Sequence, residues 1–444
     1  MGVGIRILVR KEDDVSFKSL LLRLLGLSKT VIERVGFGAG GVLVVSVRPT
    51  KRESSRCPVC GRKAPGYDAG RGRRRWRGLD FGSTVVMLEA EAPRIKCGRH
   101  GVLVARTPWA RPGSWFTHAF EAQVAWLMVH ACRTVVAELM RIDWKTVGGI
   151  VERVQADLSA SGPDPFSGLV NIGIDETSYK KGYKYLTVVV DHDTSRVVWV
   201  GQGVGKAVLD KFFNQLNATQ KAAIRCVTAD GANWIKACVA GHCPQAALTL
   251  DTFHIVSWAS DALDDVRRRM VRDIRLATPP HPSRARSRLP GGVVPAGAAL
   301  KNLRYALLKN PADWTANQQT RIDMIAVDHP VLHRAWRLKE KLRLLLKLPF
   351  DQAAIELDRW LAWAQRCQIG EFVRLGRTIK EYKQAILNTI RLGMTNARIE
   401  ATNNKIKLTI RMGYGFRNID NLIALLMLRC GGLQPGLPGR HTTP

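Results

Sequence analysis

The chain has 444 residues, 46% of them hydrophobic, and is long enough for roughly three domains with cores of their own. It carries 68 Lys and Arg against 37 Asp and Glu, and the resulting net charge of +31 predicts a polyanionic partner. A long acid-bearing α/β region argues against a ribosome-type basic protein, and the lack of a basic amphipathic anchor argues against a membrane-surface protein.

The sequence shows no secretory or membrane-spanning signal. Charged residues follow the N-terminus before an apolar segment forms, and the longest apolar runs, such as 422–428, are far too short to span a bilayer. The nine cysteines are odd in number and follow no disulfide framework. These features predict a reduced, cytoplasmic protein with no membrane contact.

The N-terminal part divides into two predicted segments. Residues 1–50 are expected to hold a loose leader (1–15), a short helix and a β-rich stretch. Residues 51–112 are basic and glycine-rich and contain cysteine, which predicts a zinc-binding module that contacts DNA.

Two ligand pairs define this zinc-binding module. The two-residue gaps in Cys57-Pro-Val-Cys60 and Cys97-Gly-Arg-His100 offer four ligands for a tetrahedral Zn²⁺. Because the protein fills all four positions, we predict a structural ion. Two buried cysteines with unrelated neighbours are the alternative.

An arginine-rich run lies between the two ligand pairs. Arginine forks grip phosphates, and a tryptophan can pack on a sugar or a base. A solvated run of charges is the alternative, but the position inside a zinc module favours DNA contact. The predicted contact residues are Arg71, Arg73, Arg74, Arg75, Trp76 and Arg77.

Residues 113–160 are predicted to form a helix-turn-helix DNA-binding domain. Residues 133–153 are typical of a helix, a short turn and a second helix, and a plain helical hairpin is the alternative. Recognition side chains enter a major groove from the start of the second helix, where we place Trp144, Lys145 and Thr146. The inward face is expected to consist of Val136, Leu139, Ile142, Val147 and Ile150.

After a Gly/Pro linker, the predicted elements follow in the order β-β-β-α-β-α-β-α, which is the order of a ribonuclease-H-like domain. A Pro/Arg/Gly passage at 277–298 fits either a mobile DNA-contacting loop or a disordered insert. The predicted fold is multidomain α+β, with a ribonuclease-H-like α/β core that carries a helical insertion and follows the zinc module and the helix-turn-helix. The predicted divisions are the first part of the core (165–260), the insertion (261–390), the final core helices (391–430) and a disordered tail (431–444).

Three carboxylates mark this region. Asp175 and Asp230 each end a strand-like run, and Glu400 lies in a segment with helical periodicity. Carboxylates that converge from two strand ends and a packed helix hold two divalent cations about 3.5–4 Å apart, the geometry for in-line attack on a phosphodiester. The alternative is a solvated helix face and two turn aspartates, but the joint placement of the three acids on the predicted order favours the metal site.

The helix that carries Glu400 is expected to be amphipathic. Its predicted buried stripe is Ile399, Ile406 and Ile410, and its predicted polar edge is Glu400, Asn404, Lys407 and Arg411. We assign Lys407 and Arg411 to DNA contact.

The next predicted strand end carries two auxiliary candidates, Asp251 and His254. They fit an outer carboxylate and a phosphate-facing imidazole, or equally a helix-capping Asp and a satisfied, partly buried His. Glu176 lies on the opposite strand parity from Asp175 and is expected to be a bystander.

Taken together, these motifs resemble the ISL-three group of bacterial insertion-sequence transposases, over nearly the full chain. One departure is His100, where the family commonly has Cys; zinc accepts both. The matching strings are Cys-Pro-Val-Cys-Gly (57–61), Gly-Ile-Asp-Glu-Thr (173–177), Thr-Ala-Asp-Gly-Ala (228–232), Asp-Thr-Phe-His-Ile (251–255), Ile-Glu-Ala-Thr-Asn-Asn-Lys-Ile-Lys (399–407) and Tyr-Gly-Phe (414–416).

The resemblance implies a DDE transposase. Asp175, Asp230 and Glu400 would bind two Mg²⁺ (or Mn²⁺) ions and cut and join double-stranded DNA. The partners would be the inverted repeats at the ends of the element, target DNA and further copies of the chain, in association with the bacterial nucleoid. A non-catalytic DNA-binding regulator derived from a transposase and a structure-specific nuclease are the alternatives.

Overall fold

The structure is a computed structural model that describes residues 16–277, 300–394 and 397–440. The predicted leader and all but the first residue of the 277–298 passage lie outside the described residues. The chain divides into two compact units, one ending at Pro163 and resuming at Ile410, the other spanning Asp164–Thr409. No helix in the described ranges is long and apolar enough to cross a membrane.

The first unit begins with a helix and a four-stranded sheet. Alternate strand residues such as Val45, Leu88 and Trp76 point into the core, as expected for a sheet with one buried face. Strand β2 pairs in parallel with β5, so the boundary expected at residue 50 falls inside one sheet. The elements are α1 (Phe17–Leu24), β1 (Thr30–Phe37), β2 (Leu43–Pro49), β4 (Arg73–Arg77) and β5 (Val86–Glu91), in the sheet order β1-β2-β5-β4.

A second, three-stranded sheet consists of β3 (Gly66–Asp68), β6 (Arg94–Cys97) and β7 (Gly101–Val104), in the order β3-β6-β7. Its β6–β7 hairpin places the second zinc-ligand pair at a tight turn, because Cys97 pairs with Gly101 across it.

Helices complete the first unit. They are α2 (His118–His130), α3 (Arg133–Met140), α4 (Trp144–Ser161) and the last helix of the chain, α16 (Ile419–Cys430). The α16 helix packs against α4 and α2, where a Cβ at Gly148 would lie 2.4 Å from Asn421. The predicted final core helices (391–430) include this helix, whereas its packing groups it with the first unit.

The inward face predicted for the helical hairpin is confirmed at Val136, Val147 and Ile150, which are fully buried. The prediction for Leu139 is wrong, because this side chain is 59% exposed and Met140 is buried in its place. The chain leaves α3 at Arg141 in a left-handed conformation, with φ at 54°.

The second unit contains a five-stranded sheet in the order β10-β9-β8-β11-β12. The first three strands form an antiparallel meander, and β11 and β12 run parallel to β8. The predicted order has one helix after the meander, but the structure has two, because Asn217 forms a capping box with Gln220 and starts a second helix. The elements are β8 (Asn171–Lys180), β9 (Lys184–Asp191), β10 (Arg196–Gln202), α5 (Lys206–Phe213), α6 (Ala218–Ala223), β11 (Cys226–Ala229), α7 (Asn233–His242), β12 (Ala247–Leu250) and α8 (Thr252–Ala277).

The rest of the second unit is helical, as predicted for the insertion. Helix α14 joins the helical segment to the sheet, since Thr389 Oγ1 donates to the Leu250 carbonyl and accepts from the Leu250 amide, both at 2.9 Å. The helices are α9 (Arg304–Leu308), α10 (Ala316–Asp328), α11 (Pro330–Leu345), α12 (Phe350–Arg366), α13 (Gly370–Glu381), α14 (Lys383–Leu392) and α15 (Ala397–Met412).

Candidate functional site

The two predicted catalytic aspartates lie level with each other on neighbouring strands. The parallel register pairs Thr228 with Gly173, and two further residues along each strand lead to Asp230 and Asp175. Neighbouring strands are about 4.8 Å apart, so two carboxylates at one level share one environment. The expectation that Asp175 ends its strand is wrong, because β8 continues to Lys180 in its pairing with β9.

Strand alternation decides which face of the sheet receives Asp175. Ile172 and Ile174 join the core on the face of α5 and α7. Gly173 and Asp175 point to the other face, where α15 packs. A Cβ at Gly173 would lie 2.1 Å from Ile399 Cδ1, so only glycine lets this helix approach so closely.

Helix α15 contacts the aspartate through an amide. Asn403 is 8% exposed, and its Nδ2 donates to Asp175 Oδ2 at 2.5 Å. The other oxygen, Asp175 Oδ1, accepts from the Glu176 amide at 2.7 Å. The predicted polar edge contains Asn404, whereas Asn403 is not among the predicted site residues. Its one-turn spacing from Ile399 is the sequence signal that places Asn403 on the buried face.

A buried polar pair lies on the same face of the sheet. His192 Nε2 and Thr228 Oγ1 are 2.6 Å apart, and the His192 carbonyl accepts from Arg398 on α15. Burial, followed by the nearby charge of Arg398, lowers the pKa of His192, so the ring is neutral at pH 7. None of these residues carried a sequence signal.

Burial and mutual repulsion act on the acids. Burial raises the pKa of Asp175, its bond from the Glu176 amide opposes this shift, and the Asp230 charge adds to it. Burial, with the charges of Asp230 and Asp175, raises the pKa of Glu176 to about 7. Glu176 is therefore electrostatically coupled to both aspartates, although its strand parity suggested a bystander.

Glu400 lies at the edge of the contact between α15 and the sheet. Its side chain is exposed, one turn before Asn403, and makes no hydrogen bond or ion pair with a described residue. Within the described ranges, its carboxylate is not among the ligand groups whose atoms all lie within 4.8 Å of one another. The predicted helix faces agree with the observed burial at Ile399 and Ile406, which are fully buried, and at the exposed Asn404, Lys407 and Arg411. Ile410, the third residue of the predicted buried stripe, is only partly buried.

The auxiliary candidates lie at the end of β12. Leu250 pairs with Ala229, so the next residue, Asp251, lies level with Asp230. Asp251 is buried, and its Oδ1 accepts from the Phe253 amide at 3.0 Å at the start of α8, as the helix-capping alternative expects. Burial raises the pKa of Asp175 overall, and the charge of His254 is the smallest of the named influences that oppose this shift.

The donor atoms at this site suit a hard divalent cation, which takes carboxylate and amide oxygens. Two buried oxygens, Glu176 Oε1 and Asn403 Oδ1, have no hydrogen-bond partner among the described residues. A divalent cation bound beside Asp175 would give Asn403 Oδ1 a partner, whereas Glu176 leaves β8 on the opposite face of the sheet.

The four predicted zinc ligands converge. Cys60 Sγ and Cys97 Sγ are 3.8 Å apart, and His100 Nδ1 lies 3.6 Å from both Cys57 Sγ and Cys97 Sγ. Thiolates at about 2.3 Å from a tetrahedral zinc ion are about 3.8 Å from each other. Hydrogen bonds from the Arg99 amide and from His100 lower the pKa of Cys97 to about 6, which favours the thiolate that binds metal.

In the arginine-rich run, the prediction of DNA contact is wrong for two residues. Trp76 is 2% exposed and packs edge-on against Trp109, and Arg77 is buried in an ion pair with Asp80 at 2.5 Å. Both side chains are buried, so neither residue can reach DNA in this structure. Arg71 is exposed, whereas the remaining arginines have partners: Arg73 and Arg75 pair with Glu89, and Arg74 lies 4.0 Å from the centre of the Trp115 ring and donates to the Ser114 carbonyl.

The start of α4 is accessible. Asp143 caps the helix by accepting from the Lys145 amide at 2.7 Å. Trp144 is 43% exposed, Lys145 is exposed and Thr146 is partly exposed. The three predicted recognition residues therefore lie together at the helix N-terminus.

A second cluster with metal-binding chemistry joins Asp210, Cys238 and His242. Asp210 accepts from His242 at 2.8 Å, from Cys238 at 3.2 Å and from Lys206 at 2.8 Å. The cluster is satisfied by its own hydrogen bonds and already contains a lysine cation, so we assign it a structural role.

Comparison with known proteins agrees with this arrangement. A family model described as "Transposase" (DDE type, ISL3) matches residues 172–426. Residues 53–100 match the "zinc-finger of transposase IS204/IS1001/IS1096/IS1165", and residues 105–155 match the "Helix-turn-helix domain of transposase family ISL3".

Curated relatives match over most of their length. The transposase for insertion sequence element IS1557 of Mycobacterium tuberculosis, found in strains CDC 1551 / Oshkosh and ATCC 25618 / H37Rv, is 46% identical over 96% of this chain and 98% of the relative. The transposase for IS1001 of Bordetella parapertussis is 25% identical over 87% of this chain and 92% of the relative.

The order of zinc finger, helix-turn-helix and DDE domain defines a DNA-binding transposase of the DDE type. The chain belongs to the ISL3 family of insertion-sequence transposases.

Proposed function

We propose that Asp175, Asp230 and Glu400 are the catalytic residues of this transposase, in a ribonuclease-H-like core, and that they hold two Mg²⁺ or Mn²⁺ ions. The observation that carries the proposal is the shared level of Asp175 and Asp230 on paired parallel strands, beneath the helix that bears Glu400. When bound, the ions activate the attacking oxygen and stabilise the leaving oxygen of an in-line displacement.

The protein's own residues prepare this chemistry. Asp175 and Asp230 provide fixed carboxylates on a rigid sheet, and the contact of Asn403 with Asp175 holds α15 against them. Glu400 borders the buried face of the same helix, one turn before Asn403, and its carboxylate would complete the metal site from this border. Water and then a 3′ hydroxyl attack at the same place, first to cut an element end and then to join it to target DNA.

The first unit supplies recognition. The zinc-binding module and the helix-turn-helix hold the terminal inverted repeats, with Trp144, Lys145 and Thr146 in the major groove and Arg71 on the phosphate backbone. Lys407 and Arg411 contact DNA near the cleavage site. The protein acts as a homo-oligomer on chromosomal DNA in the bacterial cytoplasm.

The test separates binding from chemistry. Full-length protein, Asp175→Asn and Glu400→Gln are assayed with Mg²⁺ or Mn²⁺ on DNA that carries the inverted repeats, for nicking, for strand transfer and for end binding. We expect both variants to lose cutting and joining by at least about a thousandfold and to bind ends like the parent protein. Asp193→Asn, at an exposed aspartate that accepts from Asn171, is the matched control.

Three outcomes contradict the proposal. Equal loss of binding and cutting in the variants would mean that the acids are structural. Nicking without strand transfer by the parent protein would indicate a nuclease. Binding without any nicking in either metal would indicate a regulator.

A further inference from the structure

Asn403 is a buried amide whose nitrogen has a hydrogen-bond partner and whose oxygen has none among the described residues. Its Nδ2 donates to Asp175 Oδ2 at 2.5 Å, while its Oδ1 is buried and has no hydrogen-bond partner among the described residues. A buried carbonyl oxygen without a partner is unfavourable, and a surface water cannot easily relieve it at 8% exposure. The side chain therefore provides a hydrogen-bond donor for Asp175, while its own oxygen has no donor among the described residues.

We propose that Asn403 is a further metal ligand of the catalytic site. The amide turns end for end when a divalent cation binds, and Oδ1 then coordinates the cation held by Asp175. The inference rests on the proposed function, and it adds a neutral ligand from α15 to the three carboxylates.

The exchange is simple in chemical terms. In the metal-free protein, Asp175 Oδ2 needs a donor, and Nδ2 provides it. Once a cation neutralises Asp175, the donor is no longer needed, and a turn about the Cβ–Cγ bond puts the amide oxygen where the nitrogen was. Amide oxygens are normal ligands for Mg²⁺ and Mn²⁺.

The distances allow this exchange. Two oxygens in adjacent positions on an octahedral ion with bonds of about 2.1 Å are about 3 Å apart. The Nδ2 to Oδ2 distance is now 2.5 Å, so the two side chains need to separate by only about half an ångström on that geometry.

The packing of α15 selects Asn403 among the polar residues of this helix. Ile399 seats against Gly173 one turn earlier, and Ile406 is fully buried nearly one turn later. Both contacts hold the helix face of Asn403 toward the sheet. Asn404 is exposed on the neighbouring face, Glu400 is exposed as well, and neither makes a hydrogen bond to an aspartate in the part of the chain that the structure describes.

The experiment measures metal binding directly. Zinc-loaded full-length protein is titrated with Mn²⁺ by calorimetry, and the Mn²⁺-dependent rise in melting temperature is followed in parallel. We expect Asn403→Ala to weaken Mn²⁺ binding by about tenfold or more. Asn404→Ala, the exposed neighbour, is the matched control and should bind Mn²⁺ like the parent protein.

A second variant separates a ligand from a hydrogen-bond donor. Asn403→Asp cannot donate to Asp175 as a carboxylate, but it can coordinate a cation. We therefore expect Asn403→Asp to melt at a lower temperature without metal, and to bind Mn²⁺ at least as tightly as the parent protein. Binding by Asn403→Asp as weak as that of Asn403→Ala would overturn the proposal and leave Asn403 as a structural donor, and unchanged binding by Asn403→Ala would also overturn it.

Mn²⁺ binding by Asp175→Asn distinguishes an error in the role of Asn403 from an error in the proposed carboxylate site. If Asp175→Asn loses Mn²⁺ binding while Asn403→Ala keeps it, only the role of Asn403 is wrong. If Asp175→Asn itself binds Mn²⁺ normally, the carboxylate site is wrong, and the inference falls with it.

Discussion

The close approach of α15 to the sheet depends on the missing side chain at Gly173. An alanine there would place Cβ 2.1 Å from Ile399 Cδ1, 2.8 Å from Ile399 Cγ1 and 2.9 Å from His192 Nε2. Ordinary carbon contacts lie at about 3.5–4.0 Å, so the helix has to move outward by about 1.5 Å. Because α15 carries both Asn403 and Glu400, this displacement separates them from Asp175.

The cost of Gly173→Ala follows from this contact. Overpacking a core by one methyl group costs about 1–3 kcal/mol, and a clash with two rigid neighbours places the variant near the upper end, about 3 kcal/mol. We expect DNA cleavage to fall further than stability alone explains, because the metal ligands separate. Unfolding by denaturant and cleavage of end-containing DNA measure the two effects.

The compensating change is Ile399→Ala, which removes the two nearest of the three atoms that the new Cβ would meet and leaves His192 Nε2 at 2.9 Å. On its own this truncation costs about 2–5 kcal/mol. In the Ile399→Ala background, Gly173→Ala should lower the free energy of unfolding by little more. A double-mutant cycle should therefore give a coupling energy of about 2–3 kcal/mol between the two positions. Gly241→Ala, at an open position in α7, is the matched control and should be neutral or stabilising by up to about 1 kcal/mol. If the effects of the two changes on the free energy of unfolding add to within about 0.5 kcal/mol, the proposed clash between Cβ and Ile399 is refuted.

Three other changes test the first unit and the acidic site. Glu121 is fully buried and accepts from Arg153 at 2.6 Å, Arg111 at 3.0 Å and Ser114 at 2.7 Å. Glu121→Ala leaves the partly buried Arg153 without this carboxylate, while Arg111 keeps Asp157, and it should lower the free energy of unfolding by about 3 kcal/mol. The exposed Glu138→Ala should change this free energy by less than about 0.5 kcal/mol. Cys57→Ser or zinc chelation should unfold the zinc-binding module and weaken end binding, with zinc content and gel shift as readouts, and unchanged binding by a zinc-free protein would contradict this role. The pKa of Glu176 is raised to about 7, so without divalent cations the folded state binds an extra proton and its stability should fall as pH rises from about 4.5 to about 7. Glu176→Gln should flatten this part of the stability profile, and an unchanged slope would exclude Glu176 as the titrating group.

The sequence was sufficient for residues whose chemistry is set by local spacing. The zinc ligands come as two pairs with two-residue gaps, and the structure brings all four together. Asp175 and Asp230 end runs of alternating apolar residues, and the level at which they meet follows from the parallel order of the strands. In both cases short-range pattern and simple sheet topology fix the outcome.

Long-range packing decided what the sequence did not predict. The one-turn spacing from Ile399 places Asn403 on the buried face of α15, but only the contact of Ile399 with Gly173 shows that this face meets the sheet beside Asp175. His192 and Thr228 are 36 positions apart and meet only because β9 and β11 lie on either side of β8. The pKa of Glu176 is raised by burial and by the two aspartates although it leaves the strand on the other face, because charges act through space.

The arginine-rich run shows why charge counting alone does not locate a DNA-binding surface. Residues 71–77 contain five arginines, but the sheet places three acids beside them, Asp80, Glu89 and Glu91, so the local excess is about two charges rather than five. The pairing follows from strand geometry, because β4 lies antiparallel to β5 and sets Arg75 opposite Glu89 and Arg73 opposite Glu91. A paired arginine has to give up its carboxylate before it can bind a phosphate, and this exchange cancels most of the gain. Within this run, Arg71 is exposed and lies just before β4, so phosphate contact should concentrate there and not be spread over the strand.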